Sequence, residues 1–117
     1  IRDSEEAAKN ANIYDFIQKT EKGFLTTIGE KGIRISGGQR QRISIAKLFY
    51  LNKKIMILDE ATNALDVNNE EKIYKSLKES IRNKIIIVIS HNLKMNKHFD
   101  YIYNLKDKKF ILKDKKN

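Results

Sequence analysis

The sequence predicts an α/β fold, and three observations carry that prediction. Two short, wholly apolar runs, Ile55 to Leu58 and Ile85 to Ile89, have the length and composition of buried strands. Between them, Ile73, Leu77 and Ile81 recur at helical spacing, with Glu70 and Glu71 near the start and Lys78, Arg82 and Lys84 near the end, where the helix dipole favours each sign. Helical patterns fill much of the chain before the first strand. Strand, helix and strand in this order make a parallel βαβ unit, whose crossover brings both strand ends to one edge.

In chain order, the first element spans about Ser4 to Thr20, as one or two short helices with Ala7, Ala8, Ala11, Phe16 and Ile17 at apolar positions and Ser4 as the expected N-cap. Residues Glu21 to Gly32 hold three glycines and no sustained period, which reads as a loop. A helix from near Gly38 to about Tyr50 follows, carrying Ile43, Ala46, Leu48 and Phe49 and ended by Asn52, Lys53 and Lys54. Both apolar strands are expected to be covered on both faces. After the second strand, a short helix around Leu93 to His98 leads to a closing β-hairpin of Tyr101–Leu105 and Phe110–Leu112.

The composition narrows the function. With 117 residues the chain is at most one small domain, and 40% hydrophobic with 33% charged residues suits a folded piece. No cysteine is present, so disulfides and thiolate metal sites are excluded and a reducing compartment is the default. Neither apolar run approaches the roughly 20 residues of a membrane span. The net charge of +9 is mostly lysine, densest from Lys106 to Lys116, but no aromatic residues are interleaved as on a base-stacking surface, so no nucleic acid is expected as a partner. The start at Ile1, with neither methionine nor a signal peptide, reads as a cut edge.

Two places could carry chemistry. Ligand sites of open α/β sheets lie beyond the carboxyl ends of the strands, where Asp59 and Glu60 end the first strand and Ser90 and His91 the second. One carboxylate can hold Mg²⁺ while the other polarises a water, and His91 can donate a hydrogen bond to a phosphate. The plain alternative is a solvated acidic turn, and His98 is read as an ordinary loop residue. Upstream, Ile35-Ser36-Gly37-Gly38-Gln39 precedes a helix whose free N–H groups attract an anion. The alternative there is an ordinary turn and N-cap. Arg40 and Arg42 in the first helical turn oppose the dipole and call for an acidic neighbour or an anionic ligand.

The segments ISGGQRQR, IMILDEAT, NALD and ISHN occur in this order. Together they resemble the signature motif, Walker B strand, D-loop and switch histidine of ATP-binding cassette (ABC) proteins, and TTIGEKG resembles the X-loop of exporter-type members, with Glu30 as its glutamate. The resemblance covers nearly the whole chain. It implies the C-terminal part of a P-loop NTPase of the ABC ATPase type, with residues 1–52 a remainder of the helical subdomain, X-loop and signature helix, and 53–117 the Walker B, D-loop and switch-histidine core.

By the same resemblance, Ser36 and Gly38 bind the γ-phosphate of ATP held by a second ABC ATPase domain in a head-to-tail dimer, and Gly37 and Gln39 belong to the same ATP-binding signature. Asp59 serves Mg²⁺, Glu60 is the general base, Asp66 crosses the dimer interface and His91 clamps the γ-phosphate. Asn63 stands where the D-loop usually has serine, and Asn92 where exporters usually have arginine. No GxxxxGK with a following Ser or Thr occurs in the 117 residues, so the expected activity is that of a full-length, transport-coupled ATPase working with transmembrane domains at the cytoplasmic face of the cell membrane, with these residues inactive alone. A soluble ABC protein acting on nucleic acid or ribosomes, and a truncated non-catalytic remnant, are the competing expectations.

Overall fold

The computed structural model describes residues 2–80 and 82–115. Ile1, Ile81 and Lys116, each named above, lie outside them. The elements run α1 (Arg2–Asn10), α2 (Tyr14–Lys19), a 3₁₀ turn (Gly23–Leu25), α3 (Gly37–Leu51), β1 (Ile55–Asp59), α4 (Val67–Ser80), β2 (Ile85–Ile89), a second 3₁₀ segment (Leu93–His98) and the strands β3 (Tyr101–Lys106) and β4 (Lys109–Lys115). The α/β class and its parallel βαβ unit are present as expected.

The N-terminal helical stretch divides because Asn12 takes a left-handed φ of 54°, which a helix cannot continue. Ser4 falls inside α1 and is not its N-cap, correcting the expectation. Helix α3 has two local stop signals. Ser36 and Gln39 form a reciprocal capping box at its start, and Asn52 adopts a left-handed φ of 49° at its end while its N–H bonds the Leu48 carbonyl at 3.0 Å. Between α2 and α3 the chain is more ordered than a plain loop. A single bridge joins Ile28 to Ile33 across a tight turn, and Gly32 permits it, since a Cβ there would lie 1.9 Å from the Thr27 carbonyl oxygen.

Strands β1 and β2 pair in parallel from Ile55↔Ile85 to Asp59↔Ile89, so their carboxyl ends are level. One face packs on the helices through Met56 and Leu58, which are buried, with Ile86 and Val88 against the same core. Ile13, Ile45, Leu58, Ile73 and Met95 are its most deeply buried large side chains, each contributing on the order of 1.5–3 kcal/mol by leaving water. The opposite face corrects the expectation of strands buried on both sides. Ile55, Ile57, Ile85, Ile87 and Ile89 stay 46–59% exposed, because none of the described elements lies over them. Helix α4 begins at Val67, three residues ahead of the acidic pair, since Asp66 caps it. The C-terminal hairpin forms as expected and is longer, turning through Asp107 and Lys108, both at positive φ. No helix among the described residues is long and apolar enough to cross a membrane.

Candidate functional site

The level ends of β1 and β2 build the first half of the site. Glu60, the first residue past β1, holds a left-handed φ of 49° and donates its N–H to the Ile89 carbonyl at 2.9 Å, so the turn after β1 is stitched to the end of β2. A non-glycine residue in that region is uncommon and is a mark of local constraint. Its side chain is partly buried, and His91 Nε2 stands 3.5 Å from Oε1. The imidazole is otherwise in the open, with a side-chain exposure of 99%. Glu60 Oε1 is buried and accepts no hydrogen bond. Asp59 is exposed at the end of β1 and forms no ion pair among the described residues. The acids and the histidine therefore meet at one sheet edge, as the topology predicts.

The second half is the amino end of α3. Ser36 Oγ accepts from Gln39 N at 3.1 Å, and Gln39 Oε1 accepts from Ser36 N at 2.9 Å. This cap uses the acceptor side of the hydroxyl and leaves its O–H free to donate outward. Gly37 and Gly38 are the first two helical residues, whose N–H groups have no intrahelical acceptor. Gly38 has a second reason to be glycine, for a Cβ there would come within 3.1 Å of the Ala64 carbonyl oxygen. No hydrogen bond or ion pair among the described residues joins Ser36–Gln39 to Asp59, Glu60 or His91. The two halves are distinct.

Asp66 sits in neither half. It caps α4, with Oδ1 accepting from Asn69 N at 2.7 Å and Oδ2 from Asn69 Nδ2 at 3.1 Å. The conflict at the start of α3 is half resolved inside the chain. Arg42 donates to the Asn12 carbonyl at 2.6 Å, and burial lowers its pKa from the ordinary value while nearby Asp66 opposes that shift. Arg40 makes no ion pair among the described residues; with Arg34 it lines a hollow beside Glu30 in the tight turn.

Two residues that the sequence reading did not place in the site, Gln41 and Asn92, hold it in place. Gln41 reaches from α3 to the turn after β1, accepting from Ala64 N at 2.8 Å and donating toward Asn63 Oδ1 at 2.5 Å and the Glu60 carbonyl at 3.3 Å. The available signal was its position one turn before fully buried Ile45, which turns a polar side chain toward the core. Asn92 donates to buried Glu70 Oε1 at 2.5 Å and caps the following 3₁₀ segment by accepting from Lys94 N, so the residue after His91 is pinned to α4. Glu71 accepts from Lys97 and His98, both at 2.7 Å, and these bonds, Lys97 first, lower its pKa. His98 also stacks on Tyr74, whose phenol is pushed up chiefly by burial, against a bond from Thr62, with Glu70 and Glu60 adding to the rise. His98 is thus structural, in keeping with its reading as an ordinary residue.

Comparison with known proteins gives concordant matches. The family profile described as ABC transporter matches residues 2–63. Mouse ATP-binding cassette sub-family B member 5 is 44% identical over 106 residues, which is 91% of this chain and 8% of that protein. The ABC multidrug transporter MDR1 of Cryptococcus neoformans is 45% identical over 83% of this chain and 7% of its own length. A putative multidrug export ATP-binding/permease protein of Staphylococcus aureus is 44% identical over 83% of this chain and 17% of its own. Among solved structures, a bacterial Atm1-family ABC exporter with ATP bound superposes with a TM-score of 0.84 at 35% identity, covering 93% of this chain and 19% of that one. The chain spans less than a fifth of the length of each of these.

Proposed function

Because the chain belongs to the ABC transporter family, we propose that its residues form part of the ATP-hydrolysing motor of an exporter, in which hydrolysis drives a conformational cycle of the transmembrane domains. One observation carries the reading: the carboxylate oxygen of Glu60 is buried, unbonded and beside His91 at the shared end of two parallel strands. The Glu60 side chain as a whole keeps 34% exposure, so water can approach the carboxylate and give up a proton to it. Glu60 is the general base, and a positioned base of this kind is worth roughly 10²–10⁴-fold in rate.

The residues present suit a nucleotide with Mg²⁺. Asp59 is exposed and without an ion pair, a donor fitted to a cation that takes its remaining ligands from water and phosphate. When bound, Mg²⁺ neutralises phosphate charge and orients the leaving group. His91, fully accessible, donates from its ring to the γ-phosphate. Ser36 O–H and the N–H groups of Gly37 and Gly38, with Gln39 completing the cap, form an anion-binding helix start that serves ATP held by the opposite ATPase domain of a head-to-tail dimer. Asp66, at the entrance to α4, faces that dimer interface. The separation of the two halves within one chain supports this division, since neither half completes a site alone.

The assignment is tested by Glu60→Gln in the full transporter polypeptide that carries these residues. Hydrolysis should fall at least 100-fold while ATP binding persists. Undiminished turnover would rule Glu60 out as the base. Residues 1–117 purified alone should hydrolyse MgATP negligibly, since no GxxxxGK occurs among them to grip the nucleotide.

A further inference from the structure

We propose that Gln41 is a positioning residue that ties the signature helix to the catalytic turn and sets the orientation of Glu60; the proposal rests on Glu60 being the general base. The amide of Gln41 has one orientation dictated by its surroundings. Ala64 N can only donate, so it takes Oε1, and the Glu60 carbonyl can only accept, so it takes Nε2. Asn63 Oδ1 completes the set at 2.5 Å. One side chain from the second turn of α3 thereby holds three successive points of the segment from Glu60 to Ala64.

The consequence falls on Glu60. Its backbone is in the left-handed region, which is strained for a residue with a side chain and persists only where surrounding bonds determine it. Those bonds come from two elements. Its N–H goes to the end of β2 through Ile89, and its carbonyl is met by Gln41 from α3. With both peptide groups fixed, the side chain leaves the turn toward His91 and its Oε1 stays buried without a hydrogen bond. Gln41 lies five residues after Ser36 on the same rigid helix. A displacement of the Ser36–Gln39 end therefore moves the anchor of Glu60, and contact with a phosphate at one half of the site is transmitted to the base at the other.

The test uses Gln41→Met in the full transporter polypeptide, which keeps the length and bulk of the side chain and removes its hydrogen bonds. The proposal expects kcat for ATP to fall at least tenfold with KM and ATP binding changed less than twofold. It also expects amide hydrogen exchange in residues 60–66 of the nucleotide-free protein to quicken at least tenfold, with α4 unchanged. A normal kcat with faster exchange would reduce Gln41 to a structural bond, and a lower kcat with unaltered exchange would show that it acts by another route; either overturns the proposal. If Gln41→Met folds poorly, Gln41→Glu, which keeps an acceptor for Ala64 N and loses the donor to Glu60, is read by the same two measurements. Glu60→Gln run alongside separates the two ideas: an active Glu60→Gln protein removes the base assignment itself, whereas an inactive one with normal Gln41→Met removes only the positioning role.

Discussion

The two halves of the site are made in different ways. The start of α3 is mostly local: Ser36 caps through Gln39 three residues on, and the one distant demand is the Ala64 carbonyl, 3.1 Å from where a Cβ at Gly38 would lie. The strand edge is non-local: Glu60 depends on Ile89, 29 positions later, on Gln41 from α3, and on His91 at the end of β2. The contrast teaches that the capped start of α3 can form wherever its few residues fold as a helix, whereas the edge that holds Glu60 and His91 exists only when the parallel pair and α3 are assembled. Disturbing the core should therefore silence the strand edge first.

The largest expected effect is on that edge. In the full transporter, Glu60→Gln should reduce kcat by at least 100-fold with thermal stability unchanged, since the amide keeps the shape of the carboxylate and removes only its proton-accepting charge. Next, Ile73→Ala, which truncates a side chain 0% exposed in the core shared with Leu58, should destabilise the domain by about 2–5 kcal/mol in urea unfolding and lower ATPase activity with it. A variant with that loss of packing and full stability would break the distinction between the halves.

Two smaller effects sharpen the comparison. Ser36→Asp keeps an excellent N-cap but replaces the hydroxyl donor by a negative charge, so melting temperature should hold while hydrolysis is lost; Ser36→Ala should cost about 0.5–2 kcal/mol through the cap as well. The smallest effect concerns pH. The Glu71 carboxylate, bonded by Lys97 and His98, has its pKa lowered from the usual 4.5, so its stabilising contribution is complete above that value and is lost as pH falls through the lower folded value. Wild-type stability measured between pH 5 and 3 should drop more steeply than that of Glu71→Gln.

Much of this was legible in the sequence for identifiable reasons. Periodicity and the placement of acids gave the helices, the βαβ order and the convergence of Asp59, Glu60 and His91, because these depend on chain direction and the pleat. The capping box was in reach of local rules, although Ser4 shows their limit: a residue fit for capping lies within α1 because the helix begins earlier. Burial on both faces of the strands did not follow, since apolar composition records what a strand can be covered by and not which elements are there to cover it. Gln41 and the Asn92–Glu70 bond were hidden because polar pairings across 19 to 23 residues leave no periodic trace.

The most direct test of the account mixes two copies of the full motor. If Ser36 serves nucleotide held by the opposite domain, a dimer with Glu60→Gln in one copy and Ser36→Arg in the other concentrates both defects in one site and leaves the second intact. A dimer carrying both substitutions in one copy spoils both sites. The account predicts ATP hydrolysis in the first arrangement and its loss in the second; hydrolysis in the second and none in the first would contradict it.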